Sequence, residues 1–196
     1  MLGKLREKYQ MFIAPFGKIL ARTGLTPNII TVISLLTSFF SYLAYYNKRP
    51  IVGVILIIVT GVVDMFDGAV ARAIQKTSRF GATLDHVIDR YAEFLIIIGI
   101  IQGGYADWLL GVFSLFGMLM ASFTRAKAES IGGLSSCTVG IAERQEKLLL
   151  IIIGSIIAPI FPKIQIMNYS ILVAGLLSHI TVIQRLHFTW KNAGDT

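Results

Sequence analysis

Four of the 11 acidic residues in this 196-residue chain fall within one short stretch. Asp64 and Asp67 are followed by Gly68, Ala71 and Arg72; eight residues later come Gly81, Asp85 and Asp89. At helical spacing Asp64, Asp67 and Ala71 share one face, and Gly81, Asp85 and Asp89 share another. The stretch 73–80 is expected to fold the two faces together as a hairpin. Four carboxylates side by side cannot all stay ionised without a counter-charge, which a polyvalent cation supplies. The ligands are all oxygen, with no Cys and no repeated His, and that favours Mg²⁺ or Mn²⁺ over zinc. Four Asp on two facing helices suit two ions, the arrangement that stabilises both oxygens of an in-line phosphoryl displacement. Gly68 and Gly81 leave room for a backbone or a nucleotide to approach, and Arg72 can grip a phosphate bidentately. Two other readings remain open on these residues alone: helix-end salt bridges with Arg72, Arg79 and Arg90, or a proton or sodium pathway.

The surroundings make these charges expensive. The chain is 55% hydrophobic and 15% charged, with a mean hydropathy of +0.70. Soluble domains carry about 25% charged residues, so an ordinary globular enzyme is excluded, and so is a disordered chain. The single cysteine, Cys137, allows no internal disulfide. Six apolar segments follow one another, over 27–46, 51–73, 80–102, 108–130, 141–161 and 164–186. The fold class expected is an all-α integral membrane protein with six transmembrane helices. Residues 1–24 do not read as a signal peptide, because charges recur through Lys4, Arg6, Glu7, Lys8, Lys18 and Arg22. Leu5, Tyr9, Phe12, Phe16 and Ile19 recur at steps of three and four, which predicts an interfacial amphipathic helix with a kink at Pro15. An amphipathic helix packed on protein is the alternative. Residues 25–190 then form the membrane domain and 191–196 a tail. Every Lys and Arg except Lys48, Arg49 and Lys163 falls on the side of the two termini, which places that side in the cytoplasm of a multi-pass cell-membrane protein. No aromatic–basic pattern points to nucleic acid.

More basic residues sit at span ends than topology requires. Arg125 and Lys127 end the fourth segment, Arg144 begins the fifth and Arg185 ends the sixth. Converging beside the Asp cluster, they would suit a second phosphate on an acceptor. Alternatively Arg125 and Lys127 snorkel, and Arg144 pairs with Glu143 or Glu146. His86 lies next to Asp85 but on another face, which suggests packing; His179 and His187 have no metal-ligand spacing. Tyr105, Trp108 and Trp190 read as interfacial anchors. Gly111, Gly117 and Ala121 offer a close-packing face, a candidate dimer surface.

The pattern D-x-x-D-G-x-x-A-R, eight residues, then G-x-x-x-D-x-x-x-D resembles the signature of the CDP-alcohol phosphotransferases, with all eight fixed positions present. The six-segment layout and the Leu25-Thr26-Pro27-Asn28 lead-in are similar too, so the resemblance spans nearly the whole chain. It implies that an acceptor hydroxyl attacks the lipid-side phosphorus of a CDP-lipid and that CMP leaves. It also implies Asp64, Asp67 and Asp85 as metal ligands, and Asp89 as the catalytic base that also touches a metal. Asp67, Gly68, Arg72 and Gly81, with Asn28 and Thr31, would form the CDP-lipid site. The segments R-A-K-A-E and G-I-A-E-R and a late Arg resemble the members that use inositol 1-phosphate, where residues matching Arg125, Arg144 and Arg185, with Lys127 beside them, hold the acceptor phosphate. Bacterial members often have Lys at the position of Arg125. The family further implies a homodimer among membrane lipids and either diacylglycerol or archaeol as the lipid. Glycerol 3-phosphate is the alternative acceptor within the family, and an ion-coupled transporter is the alternative outside it.

Overall fold

The computed structural model describes residues 6–75 and 77–193, and the side chains of all of these but 6–12. The expected roles of Leu5, Lys4, Lys76 and tail residues 194–196 lie outside the described residues, and those of Arg6, Lys8, Tyr9 and Phe12 outside the described side chains. Among those described, the chain is all helical: α1 (Arg6–Arg22), α2 (Pro27–Tyr46), α3 (Pro50–Ala73), α4 (Arg79–Gln102), α5 (Trp108–Ser130), α6 (Arg144–Ile157) and α7 (Ile166–Asn192). Four of them, α2, α3, α5 and α7, are long and apolar enough to cross a membrane. The chain divides into two compact units, 1–103 and 104–196.

In the first unit α2 packs against both α3 and α4, and α1 against α3. Helix α2 starts where Thr26 caps and Pro27 supplies a preset first turn. Its buried face is a ladder of hydroxyls, Thr31, Ser34, Ser38 and Ser41. Ser41 donates to the carbonyl of Gly53 at 3.0 Å, and the Thr37 and Thr60 hydroxyls bond at 2.8 Å. Such short polar side chains let backbones close up and hold helices together where lipid gives no hydrophobic drive. Gly99 shows how close they come: a Cβ there would lie 2.8 Å from the Cα of Tyr42. The α1 segment runs unbroken through Pro15. Packing on protein is realised at Gly17, where a Cβ would meet Ala69 of α3 at 2.8 Å. Phe16 and Ile19 nevertheless stay exposed.

In the second unit α7 packs against both α5 and α6. Asp107 caps α5 by accepting from the amides of Leu109 and Leu110. Gly111, Gly117 and Ala121 are buried. A Cβ on Gly117 would lie 2.8 Å from the His179 ring of α7, and that ring stacks on Phe113 at 4.4 Å. The expected dimer face is therefore a contact between helices of one chain. The fifth apolar segment also needs correction. Expected over 141–161, the helix occupies only 14 residues, Arg144–Ile157. The amide of Ile141 is held by Gln184 at 2.9 Å, outside any helix, and at the other end Pro159 has no amide hydrogen with which to continue the helical ladder. The sixth runs six residues further than expected, to Asn192, since nothing between Leu186 and Asn192 breaks a helix.

Candidate metal and phosphate site

Helices α3 and α4 deliver the motif carboxylates. Ser78 caps α4 by accepting from the Gly81 amide at 2.9 Å, so the second half of the motif begins in the first turn of its helix. One carboxylate oxygen each from Asp64, Asp67 and Asp85 lies within 4.8 Å of the others. Asp67 is buried, and the buried Thr31 hydroxyl donates to its Oδ2 at 2.8 Å. The Pro27 carbonyl, 3.0 Å from the same hydroxyl, is the other acceptor within reach. An all-oxygen set this tight fits Mg²⁺ or Mn²⁺. The residues present therefore suit the divalent ions that the motif implies.

The expected nucleotide side of the motif gathers around the start of α2. A Cβ on Gly81 would lie 3.2 Å from Asn28 Oδ1 and 3.0 Å from Ser78 Oγ. At Gly68 a Cβ would meet Arg72 Nη1 at 3.2 Å. In the protein itself, then, what these glycines admit is polar side chains, with no helix backbone pressed against them. Asp89 stands one turn beyond Asp85, buried, and is not among the three clustered acids. Its Oδ2 is 3.6 Å from Arg90 Nη2, which also pairs with Glu93 Oε1 at 3.1 Å. The salt-bridge alternative is thus realised at Asp89. Glu93 escaped the sequence reading, although it continues the four-residue step of Asp85 and Asp89. His86 is exposed, which corrects the packing role expected for it.

The basic residues belong to the second unit. Arg185 is buried; its Nε donates to the Val139 carbonyl at 2.9 Å and its Nη1 to that of Ala121 at 2.6 Å. It lies within electrostatic reach of Arg125, Glu129 and Glu143. Arg125 is half exposed and pairs with Glu129 at 3.0 Å. Arg144 is the first residue of α6, where Glu146 accepts from the Glu143 amide at 3.0 Å. Lys127 is exposed, with Nζ 5.5 Å from the Phe123 ring centre. Two residues along a helix point to opposite sides, so the structure does not bring Lys127 to the side of α5 that carries Arg125. Glu129, the ion-pair partner of Arg125 four residues on, is a second residue that the sequence does not single out.

Comparisons with known proteins bear on this arrangement. The sequence model of the family described as CDP-alcohol phosphatidyltransferase matches residues 24–186. The chain is 37% identical to the archaetidylinositol phosphate synthase of Pyrococcus horikoshii, over 95% of each chain. It is also 37% identical to the synthase of that name from Methanothermobacter thermautotrophicus, over 97% of this chain and 95% of the relative. The crystal structure of Mycobacterium tuberculosis phosphatidylinositol phosphate synthase with CDP-DAG bound is similar at a TM-score of 0.81, with 26% identity over 93% of this chain and 96% of that one. The same synthase has been solved in complex with manganese and citrate, again at a TM-score of 0.81.

Thr31 supplies a test of the site that needs no substrate. Thr31→Val keeps the shape and removes the hydrogen bond to Asp67. Mn²⁺ affinity, read by equilibrium titration of the purified protein, should fall by about 10- to 100-fold, the usual effect of losing an outer-shell partner. Unchanged affinity would mean that Thr31 does not orient the ligand.

Proposed function

We propose that this chain, which belongs to the CDP-alcohol phosphatidyltransferase family, joins inositol 1-phosphate to the phosphate of a CDP-lipid and releases CMP. The observation that carries the chemistry is the convergence of Asp64, Asp67 and Asp85 on the family's own motif. Similarity over nearly the full length to two archaeal inositol-phosphate lipid synthases supports the acceptor and favours archaeol as the lipid. Family membership turns the reading away from an ion-coupled transporter.

Asp64, Asp67 and Asp85 hold Mg²⁺ or Mn²⁺, with Asp89 at the edge of the set. The ions supply positive charge to the phosphates as negative charge builds on them. Arg72, Gly68, Gly81, Asn28 and Thr31 form the CDP-lipid side, with Thr31 acting through Asp67. Asp89 takes the proton from the inositol hydroxyl. The oxygen so freed bonds to the lipid-side phosphorus, the bond from that phosphorus to the CMP oxygen breaks, and CMP leaves with the electron pair. Arg125 and Arg144 bind the acceptor phosphate. Arg185, with Nε and Nη1 committed to carbonyls, fixes the surrounding backbone and adds charge. Lys127 stays outside this set. A serine acceptor would leave these arginines without a ligand.

The helices complete a six-span membrane domain over 25–190, with α4 and the short α6 as the two further crossings. Helix α1 lies along the membrane interface, and it and the end of α7 face the cytoplasm, a sidedness that the distribution of Lys and Arg supports. The protein works as a homodimer through a surface other than the buried glycine face of α5.

Release of CMP in detergent, measured with CDP-archaeol and CDP-diacylglycerol across a panel of acceptors, tests the reading. Inositol 1-phosphate should be preferred over glycerol 3-phosphate, serine and free inositol, and EDTA should abolish turnover. Preference for another acceptor, or full activity in EDTA, would contradict it. Asp89→Asn should remain folded and lose at least about 10²-fold in kcat, the lower end for removal of a general base. A variant retaining a tenth of the wild-type rate would remove Asp89 from that role.

A further inference from the structure

The proposed reaction leaves one contact at the end of α5 unused. Oε1 of Glu129 accepts from Arg125 Nε at 3.0 Å and from the backbone N–H of Cys137 at 2.9 Å. A half-exposed ion pair four residues apart on a helix is ordinarily worth little. Here the same oxygen also reaches eight residues along the chain, to the amide of a residue that is fully buried. That residue belongs to the segment 131–143 between α5 and α6, which has no helix of its own. Other side chains and backbone groups pin the same segment: Arg185 holds the Val139 carbonyl, Gln184 the Ile141 amide, and Ala128 the Leu134 amide. Such a network fixes the backbone on both sides of Cys137. Glu129 connects that fixed segment to an arginine whose side chain remains 40% exposed.

A guanidinium carries its donors on a rigid planar fork. Held by Nε, it keeps its far edge, Nη1 and Nη2, in one orientation, and that edge is the one that matches two oxygens of a phosphate. We infer that Glu129 is a positioning residue for acceptor recognition: it holds Arg125 by Nε so that the outer edge of the guanidinium meets the acceptor phosphate. The anchored segment 131–143 in turn holds Glu129. This rests on the reading of Arg125 as a contact to the acceptor phosphate, and the test separates the two.

Apparent KM values for inositol 1-phosphate and for the CDP-lipid are measured in the full-length protein for Glu129→Gln, Glu129→Asp, Arg125→Ala and both double variants. Gln keeps the shape and an acceptor oxygen without the charge; Asp is one methylene too short to serve both partners. Both single variants should raise KM for inositol 1-phosphate, Asp by roughly tenfold, the scale of one hydrogen bond to a charged group, and Gln by less. KM for the CDP-lipid should match wild type. In the Arg125→Ala background neither change should add to the effect, because Glu129 acts through Arg125. A purely structural role would shift both KM values or persist without Arg125, and either result overturns the inference. If Arg125→Ala raises the acceptor KM while both Glu129 variants leave it unchanged, the positioning role fails and the acceptor reading stands. If Arg125→Ala itself leaves it unchanged, both fall.

Discussion

Three carboxylate oxygens within 4.8 Å of one another, on helices built from apolar sequence, set the terms for the rest of the first unit. At an effective dielectric of about 20, each like-charged pair at that distance repels by about 3.5 kcal/mol. A bound cation reverses the sign of that interaction; without one the repulsion is relieved only by taking up a proton. Holding them within one ion's reach falls to α2, which packs along both α3 and α4. The stabilising contacts are short ones: hydroxyls against backbone, and Gly99 against the Tyr42 backbone. Thr31 belongs to this same ladder and ends it at the site, where its hydroxyl turns from packing to orienting Asp67. One buried face of α2 thus serves both cohesion and ligand geometry.

The second unit uses its charges differently. Arg185 is buried, and its bonds to the Val139 and Ala121 carbonyls tie α7 to α5 and to the segment before α6. Glu129 makes a comparable tie from α5. A helix-free stretch between apolar helices carries many backbone groups that need partners. These side chains satisfy several of them, so the basic residues expected to meet phosphate also maintain the shape of their own surroundings. Loss of Arg185 should therefore be felt as structure as well as charge.

The sequence was most legible where local chemistry and tertiary packing agree. Helix α2 begins at Pro27 and α5 at Trp108, as expected, because Thr26 and Asp107 cap them through bonds to amides two or three residues on. The Asp cluster is legible because acids at i, i+3 and i, i+4 within apolar helices mark a functional site, and the family motif then favours metal over salt bridges or an ion pathway. Failures arose where a distant partner decides. Gln184 holds Ile141 out of the helix that its apolar neighbours suggested. His179 fills the cleft at Gly117, so a stripe that reads as a surface for a second molecule is interior. Lys127 joins Arg125 in the expected basic set, although two residues along a helix lie on opposite sides. Glu93 and Glu129 both follow the four-residue step already in use, and their roles emerged only with their partners, Arg90 and the Cys137 amide.

The α3–α4 acids are built to hold divalent metal. Electron paramagnetic resonance of the purified protein titrated with Mn²⁺ tests it most directly, since free and bound ions give separate signals and two bound ions about 3.5–4 Å apart, the two-metal spacing, couple magnetically. Two coupled Mn²⁺ per chain are expected, both lost when Asp67 and Asp85 are replaced by Asn. A protein that remains folded and binds no Mn²⁺, or binds it undiminished without those two carboxylates, would contradict it.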